Sequence, residues 1–175
     1  MDITYSTEKD LPCEQLYNLF LSVDWADENS TTEKMINNFS VPFINSTVVI
    51  SAWDNDKLVG CVRVLSDKIF RSHIYDLAVL PEYQNQVIGT ELVKRCIAFF
   101  PNSEWNLETI PERIGFYKQL GFEVNEEPIL KIKCKLFILR GIPKTIYAKY
   151  QNGKSKGTTR QNKYKYNADS KFRRL

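Results

Sequence analysis

The sequence holds a single histidine, His73, and its four cysteines, Cys13, Cys61, Cys96 and Cys134, never fall as a C-x-x-C pair. A structural zinc site needs clustered thiolate and imidazole ligands, and a covalent Cys/His route needs the two types grouped with an acid. Neither pattern is present, so no metal is expected and the cysteines read as reduced, mostly buried packing residues. No stretch approaches the roughly 18 consecutive apolar residues of a membrane span. The opening MDITYSTEKD is acidic and lacks an apolar run, which is not the pattern of a secretory leader. These absences predict a cytoplasmic protein with no membrane contact.

What is present is ordinary globular material. Hydrophobic residues make up 43% and charged residues 26% of the 175, so disorder is not expected for most of the chain. The net charge of +3 is unevenly spread: residues 151–175 carry eight Lys and Arg against Asp169 alone, leaving a mildly acidic body with a basic tail. The chain is therefore divided into a folded domain over 1–140 and a basic, largely disordered C-terminal extension over 141–175.

Patterning predicts a short strand at Ile3–Ser6, then a helix capped by Asp10 with Leu16, Leu19, Phe20 and Val23 on one face. Thr31 or Thr32 caps a second helix. A hairpin follows, TVVISAW and LVGCVRVL joined by the polar turn DNDK. A strand near Ser72–Leu80 alternates, with Ile74, Asp76 and Ala78 on one face and Tyr75, Leu77 and Val79 on the other. Ile88, Leu92, Cys96 and Phe99 recur at helical spacing before Pro101, and a strand lies near Trp105–Glu108. Thr109 and Glu112 have the spacing of a capping box that opens a helix ending at Gly121, and FEV and ILKIKCKLF supply the last strands.

Between the third strand and the long helix sits LPEYQNQVIGTEL. A helix N-terminus offers unpaired N–H groups and a partial positive charge, which suits an anion. Gly89 lets the backbone come close, and Asn85 tolerates left-handed geometry. Further along, ERIGFYKQLGFEV places Tyr117 on a helix that stops at Gly-Phe and re-enters a strand. Together, LAVLPEYQNQVIGTEL and GFYKQLGFE resemble the GNAT superfamily of acyl-CoA-dependent N-acetyltransferases, whose signatures are Gln/Arg-x-x-Gly-x-Gly/Ala and Phe-Tyr-x-x-x-Gly-Phe.

The resemblance implies an α+β fold with a single mixed, mostly antiparallel central sheet of about six to seven strands flanked by about four helices. It implies acetyl-CoA as co-substrate. Leu77, Ala78 and Val79 would present backbone groups to the pantetheine arm and acetyl carbonyl, where their strand splays from its neighbour. Gln84, Asn85, Gln86, Val87, Ile88, Gly89 and Thr90 would wrap the pyrophosphate, with Phe116 beside the cofactor and Tyr117 at the position of the family's general acid. Two departures stand out: Val87 replaces the signature's first glycine, and Ile110 and Arg113 replace a common Asn and Ala. A helical φ at Val87 is expected, because only its N–H is required.

Acetyl transfer to an amine needs a base to deprotonate the ammonium, a donor such as the Val79 N–H for the thioester oxygen, and a proton for the leaving thiolate. Asp76 is the candidate base; the alternative is a carboxylate that satisfies a neighbouring backbone or Arg group. The resemblance puts the acceptor loop between the first two helices. There Asp24, Trp25, Asp27 and Glu28 offer charge and an indole face to a small cationic or aryl-alkyl amine; otherwise Trp25 is a hydrophobic plug in a solvated loop. A homodimer is compatible with the exposed strands. The aromatic-interleaved cations of the tail raise a less favoured alternative, a weakly acyl-CoA-binding module that acts on nucleic acid or a protein partner.

Overall fold

A computed structural model describes residues 2–125, and the expected strand ILKIKCKLF, the 140/141 domain boundary and the basic tail lie outside them. The described elements run β1 (Ile3–Ser6), α1 (Cys13–Ser22), α2 (Glu33–Ile36), α3 (Val41–Ile44), β2 (Val48–Asp54), β3 (Lys57–Ser66), β4 (Arg71–Val79), α4 (Ile88–Phe99), β5 (Glu104–Leu107) and α5 (Pro111–Lys118). A 3₁₀ turn at Pro81–Tyr83 separates β4 from α4. The strands form one sheet in the order β1-β2-β3-β4-β5. The first four are mutually antiparallel and β5 joins β4 in parallel, which gives the expected mixed, mostly antiparallel α+β architecture. Among the described residues the sheet has five strands, and Phe122–Val124, expected as a strand, are not in one. Two of the five described α-helices are single turns.

The two faces of the sheet are covered differently. On β3, Gly60 faces α4, since a Cβ placed there would lie 3.3 Å from Leu92 Cδ1. Arg63, three residues on and therefore on the opposite face, lies over the Phe43 ring of α3 at 5.9 Å. Phe20 of α1 packs edge-on against Phe43 at 6.0 Å, tying α1 to the same side. The core between these layers is apolar, with Leu16, Leu19, Phe43, Val59, Val62, Leu92 and Val93 fully buried.

Three local readings are corrected. Asp10 does not cap α1; its carboxylate accepts from Ser40 Oγ at 3.2 Å, and Pro12 takes the cap position without a side-chain bond. Thr109 and Glu112 form no capping box, because Pro111 occupies the first helical position and moves the cap to Ile110. The alternation of β4 breaks as well: Val64 pairs with Ile74 but Arg63 pairs with Asp76, so Tyr75 is an extra residue. The bulge turns Ile74 and Asp76 to opposite faces of the sheet. Thr32, by contrast, does cap α2, accepting from the Met35 amide at 3.3 Å.

No described helix is long and apolar enough to cross a membrane. At the far edge of the sheet a groove of about 290 Å³ lies between β1 and α4, lined by Tyr5, Ser6, Thr7, Ile50, Arg95, Ala98 and Phe99. None of the residues expected to act in catalysis lines it.

Candidate active site

The site is built on the end of β4 that has lost its neighbour. Strand β5 pairs with β4 only from Arg71 to Ile74, while β4 runs on to Val79. From Tyr75 onward its outer side has no partner among the described strands. The Leu80 N–H donates to Val59 O at 2.9 Å, which fixes the alternation: the main-chain groups of Ala78 and Asp76 turn toward β3, those of Leu77 and Val79 toward the open side. The main-chain groups of Leu77 and Val79 therefore face away from β3, on the side that β5 leaves uncovered. Those of Ala78 do not; its methyl is buried in the core and its main chain belongs to the ladder.

The chain leaves β4 through Pro81–Tyr83, which is anchored to the β2–β3 hairpin. Tyr83 Oη donates to Asp54 Oδ2 at 2.7 Å, and Lys57 Nζ meets Glu82 Oε1 at 3.0 Å. Two glutamine side chains then brace the turn: Gln84 Nε2 donates to Val79 O at 2.9 Å, and Gln86 Nε2 to Glu82 O at 2.9 Å. Each such bond contributes about 1 kcal/mol and fixes the path of the main chain. Asn85 and Val87 both take left-handed backbone conformations, φ 61° and φ 70°. Asn85 suits that geometry, as its sequence position suggested. Val87 does not, and the expectation of a helical φ there is wrong: as the N-cap of α4 it must reverse the chain into the helix. The result is a turn in which the amides of Asn85, Gln86, Val87, Ile88, Gly89 and Thr90 meet no acceptor among the described residues. Successive free N–H groups at a helix start form a concave, electropositive cradle for an anion.

Helix α5 closes the site from the side. The Phe116 ring lies where a Cβ on Gly89 would be 3.5 Å from Cζ, an approach that keeps the helices close. Tyr117 packs edge-on against Phe116 at 4.9 Å and Phe122 at 5.8 Å. Burial pushes its phenol up to about 12, with the Arg113 charge drawing it partly back. At neutral pH the hydroxyl keeps its proton. Arg113, one turn before Tyr117, reaches the turn itself: its Nη2 donates to Gln84 Oε1 at 3.5 Å. The two sequence signatures are thus brought together in space.

Asp76 sits directly across from Arg63 and is ion-paired to it through Oδ2, both side chains being largely buried. The arginine alternative foreseen for Asp76 is what the structure contains. Arg63 was not singled out from the sequence; it meets Asp76 because the bulge at Tyr75 shifts the β3–β4 register, which no local pattern announces. Its guanidinium also lies 5.1 Å from the Tyr75 ring centroid.

The expected acceptor loop is folded on itself. Trp25 packs edge-on against Phe20 at 5.5 Å, in the manner of a plug. Asp27 accepts from the Asn29 amide at 2.9 Å, and that bond holds its carboxyl below the usual range. Asp24 has a left-handed φ of 59°, and Glu28 is exposed. No hydrogen bond, ion pair or ring contact among the described residues joins this loop to the end of β4 or to α5.

Comparison with known proteins agrees with this geometry. The sequence profile of the Acetyltransferase (GNAT) domain matches residues 45–124, which run from β2 through the turn to the end of the α5 signature. The chain is 29% identical over 128 residues to the uncharacterized N-acetyltransferase ycf52 of Pyropia yezoensis, covering 69% of this chain and 70% of that protein. A GNAT family acetyltransferase from Streptococcus pneumoniae superposes with a TM-score of 0.61 at 29% identity, over 75% of this chain and 98% of its own. The PaiA N-acetyltransferase of Thermoplasma acidophilum, solved with coenzyme A, shares the fold at 15% identity and a TM-score of 0.54, over 73% and 94% of the two chains. With its splayed strand, amide-lined turn and Phe-Tyr helix in the order that the profile spans, the chain carries over residues 45–124 an acetyltransferase domain of the GNAT type.

Proposed function

We propose that the protein moves the acetyl group of acetyl-CoA to a primary amine, a small cationic or aryl-alkyl one, by direct attack within a ternary complex. The observation that carries this reading is the run of six free amides, Asn85 to Thr90, set beside the open backbone of Leu77 and the open N–H of Val79. Neutral donors at a helix start fit a diphosphate, and a free strand edge fits an amide-bearing arm. Acetyl-CoA supplies the activated acyl group as a thioester.

The chain's own groups have separable tasks. The Val79 N–H, on the open side, stabilises the negative charge that develops on the carbonyl oxygen; one such donor is typically worth about 3 kcal/mol. Asp76, steadied by Arg63 through Oδ2, keeps Oδ1 without a partner among the described residues and polarises a water that takes the ammonium proton. As the new N–C bond forms and the C–S bond breaks, Tyr117 gives its proton to the departing sulfur, and the second proton shed by the nitrogen restores the phenol. Asp24 and Glu28 supply the negative charge that favours a cationic acceptor, with Trp25 shaping the loop that carries them.

The reading is tested by titrating the full chain with acetyl-CoA in a calorimeter, followed by an amine panel read by thiol release. Micromolar binding and turnover with at least one small amine are expected. Absence of binding at millimolar coenzyme overturns the reading.

A further inference from the structure

The turn that would hold a diphosphate is short of positive charge. Within LPEYQNQVIGTEL the charged residues are Glu82 and Glu91, both acidic. Neighbouring cations are already engaged: Lys57 pairs with Glu82 at 3.0 Å, and Arg95 pairs with Glu91 at 3.6 Å while lying 4.2 Å from the Tyr5 ring centroid. Arg113 is different. It is exposed, it has no ion-pair partner among the described residues, and its one side-chain hydrogen bond is the long 3.5 Å contact to Gln84 Oε1. A guanidinium carries five donors in a planar fork, so most of its hydrogen-bonding capacity is unused here.

Its placement is specific. Arg113 and Tyr117 are four residues apart on α5 and so share a face, and the neighbouring Phe116 lies against Gly89 at the start of α4. Gln84, the residue Arg113 touches, is held to Val79 O and opens the run of free amides. The guanidinium thus hangs beside the mouth of the cradle, on the helix opposite the one whose N-terminus forms it.

We propose that Arg113 is a phosphate-binding residue of this site, clamping the coenzyme's diphosphate from α5 while the Asn85–Thr90 amides hold it from α4. The inference rests on the coenzyme-binding reading given above. It also accounts for the tolerance of Val87 in the turn: a charge-assisted contact, roughly twice as strong as a neutral one, offsets crowding by a side chain where a smaller residue would let the phosphate sit deeper. Lysine would supply charge without the planar fork.

The test is calorimetric titration of full-length native, Arg113→Gln and Arg113→Lys proteins with coenzyme A at low and high salt, with thermal unfolding of each as a check on the fold. Arg113→Gln is expected to bind about tenfold more weakly, with a shallower salt dependence, because one exposed charge–charge contact has gone. Arg113→Lys is expected to keep the salt dependence and recover part of the affinity. Native-like affinity in Arg113→Gln overturns the assignment while leaving the coenzyme site in place. So does weaker binding with an unchanged salt dependence, which marks a displaced helix. Failure of the native protein itself to bind removes the functional reading and this inference together.

Discussion

Val87 carries a conformational cost that its side chain does not recover. A left-handed φ of 70° costs an L-residue about 1–2 kcal/mol, and branching at Cβ makes the fit worse. The side chain is 63% exposed, so little packing is lost on removing it. Val87→Gly is expected to stabilise the fold by about 0.5–1 kcal/mol even after the greater chain entropy of glycine is counted. A urea midpoint that rises at unchanged slope would bear this out, and an unchanged or lower midpoint would refute the strain. Tyr117 makes a second residue-level prediction. Its folded form holds the proton up to about 12, whereas an unfolded tyrosine releases it near 10. The contribution is full below pH 10 and is lost as pH rises toward 12, because ionisation then favours the unfolded chain. Cys96, also pushed to about 12 by burial, begins the decline nearer pH 9. Tyr117→Phe should therefore flatten the stability profile between pH 10 and 12 by about 2 kcal/mol, and no other part of it, while slowing acetyl transfer at neutral pH. That the turn and the Phe-Tyr helix would meet was legible in the sequence; the Arg63 partner of Asp76 and the sign of φ at Val87 were not, since nothing local distinguishes a capping valine from a helical one.

At the scale of elements, the hairpin was readable because DNDK leaves Asn55, at φ 52°, in a two-residue turn between two strands rich in β-branched residues. The start of α5 was misread because two start signals one residue apart compete, and the fixed φ of Pro111 prevails over the Thr109 hydroxyl. The bulge at Tyr75 had no local signature; it reflects a register set between strands. Gly60 shows how tightly β4 is held where it matters. A Cβ there would lie 3.1 Å from Ala78 O and 3.3 Å from Val79 Cγ2, so it presses on the part of β4 that frames the site. Gly60→Ala is expected to cost about 2 kcal/mol in stability and to weaken coenzyme binding by shifting Ala78 and Val79. A variant neutral in both unfolding and titration would show that this end of the strand yields freely.

Across the described residues as a whole, one sheet supports two kinds of edge. The β1 side has its groove against α4, and the β4–β5 side opens after Ile74. That second opening has a consequence in time as well as in space. Along Asp76–Leu80 the amide hydrogens alternate between ladder and open side, so deuterium from solvent should enter them in alternate steps. Leu77 and Val79 should label within seconds, whereas Asp76, Ala78 and Leu80 should wait for the strand itself to detach. Saturating coenzyme A should retard the fast pair and leave the slow set nearly unchanged; uniform labelling along the segment would contradict the splay. Successive residues of one strand would then report on different events, one set on the arrival of a ligand and the other on the opening of the sheet.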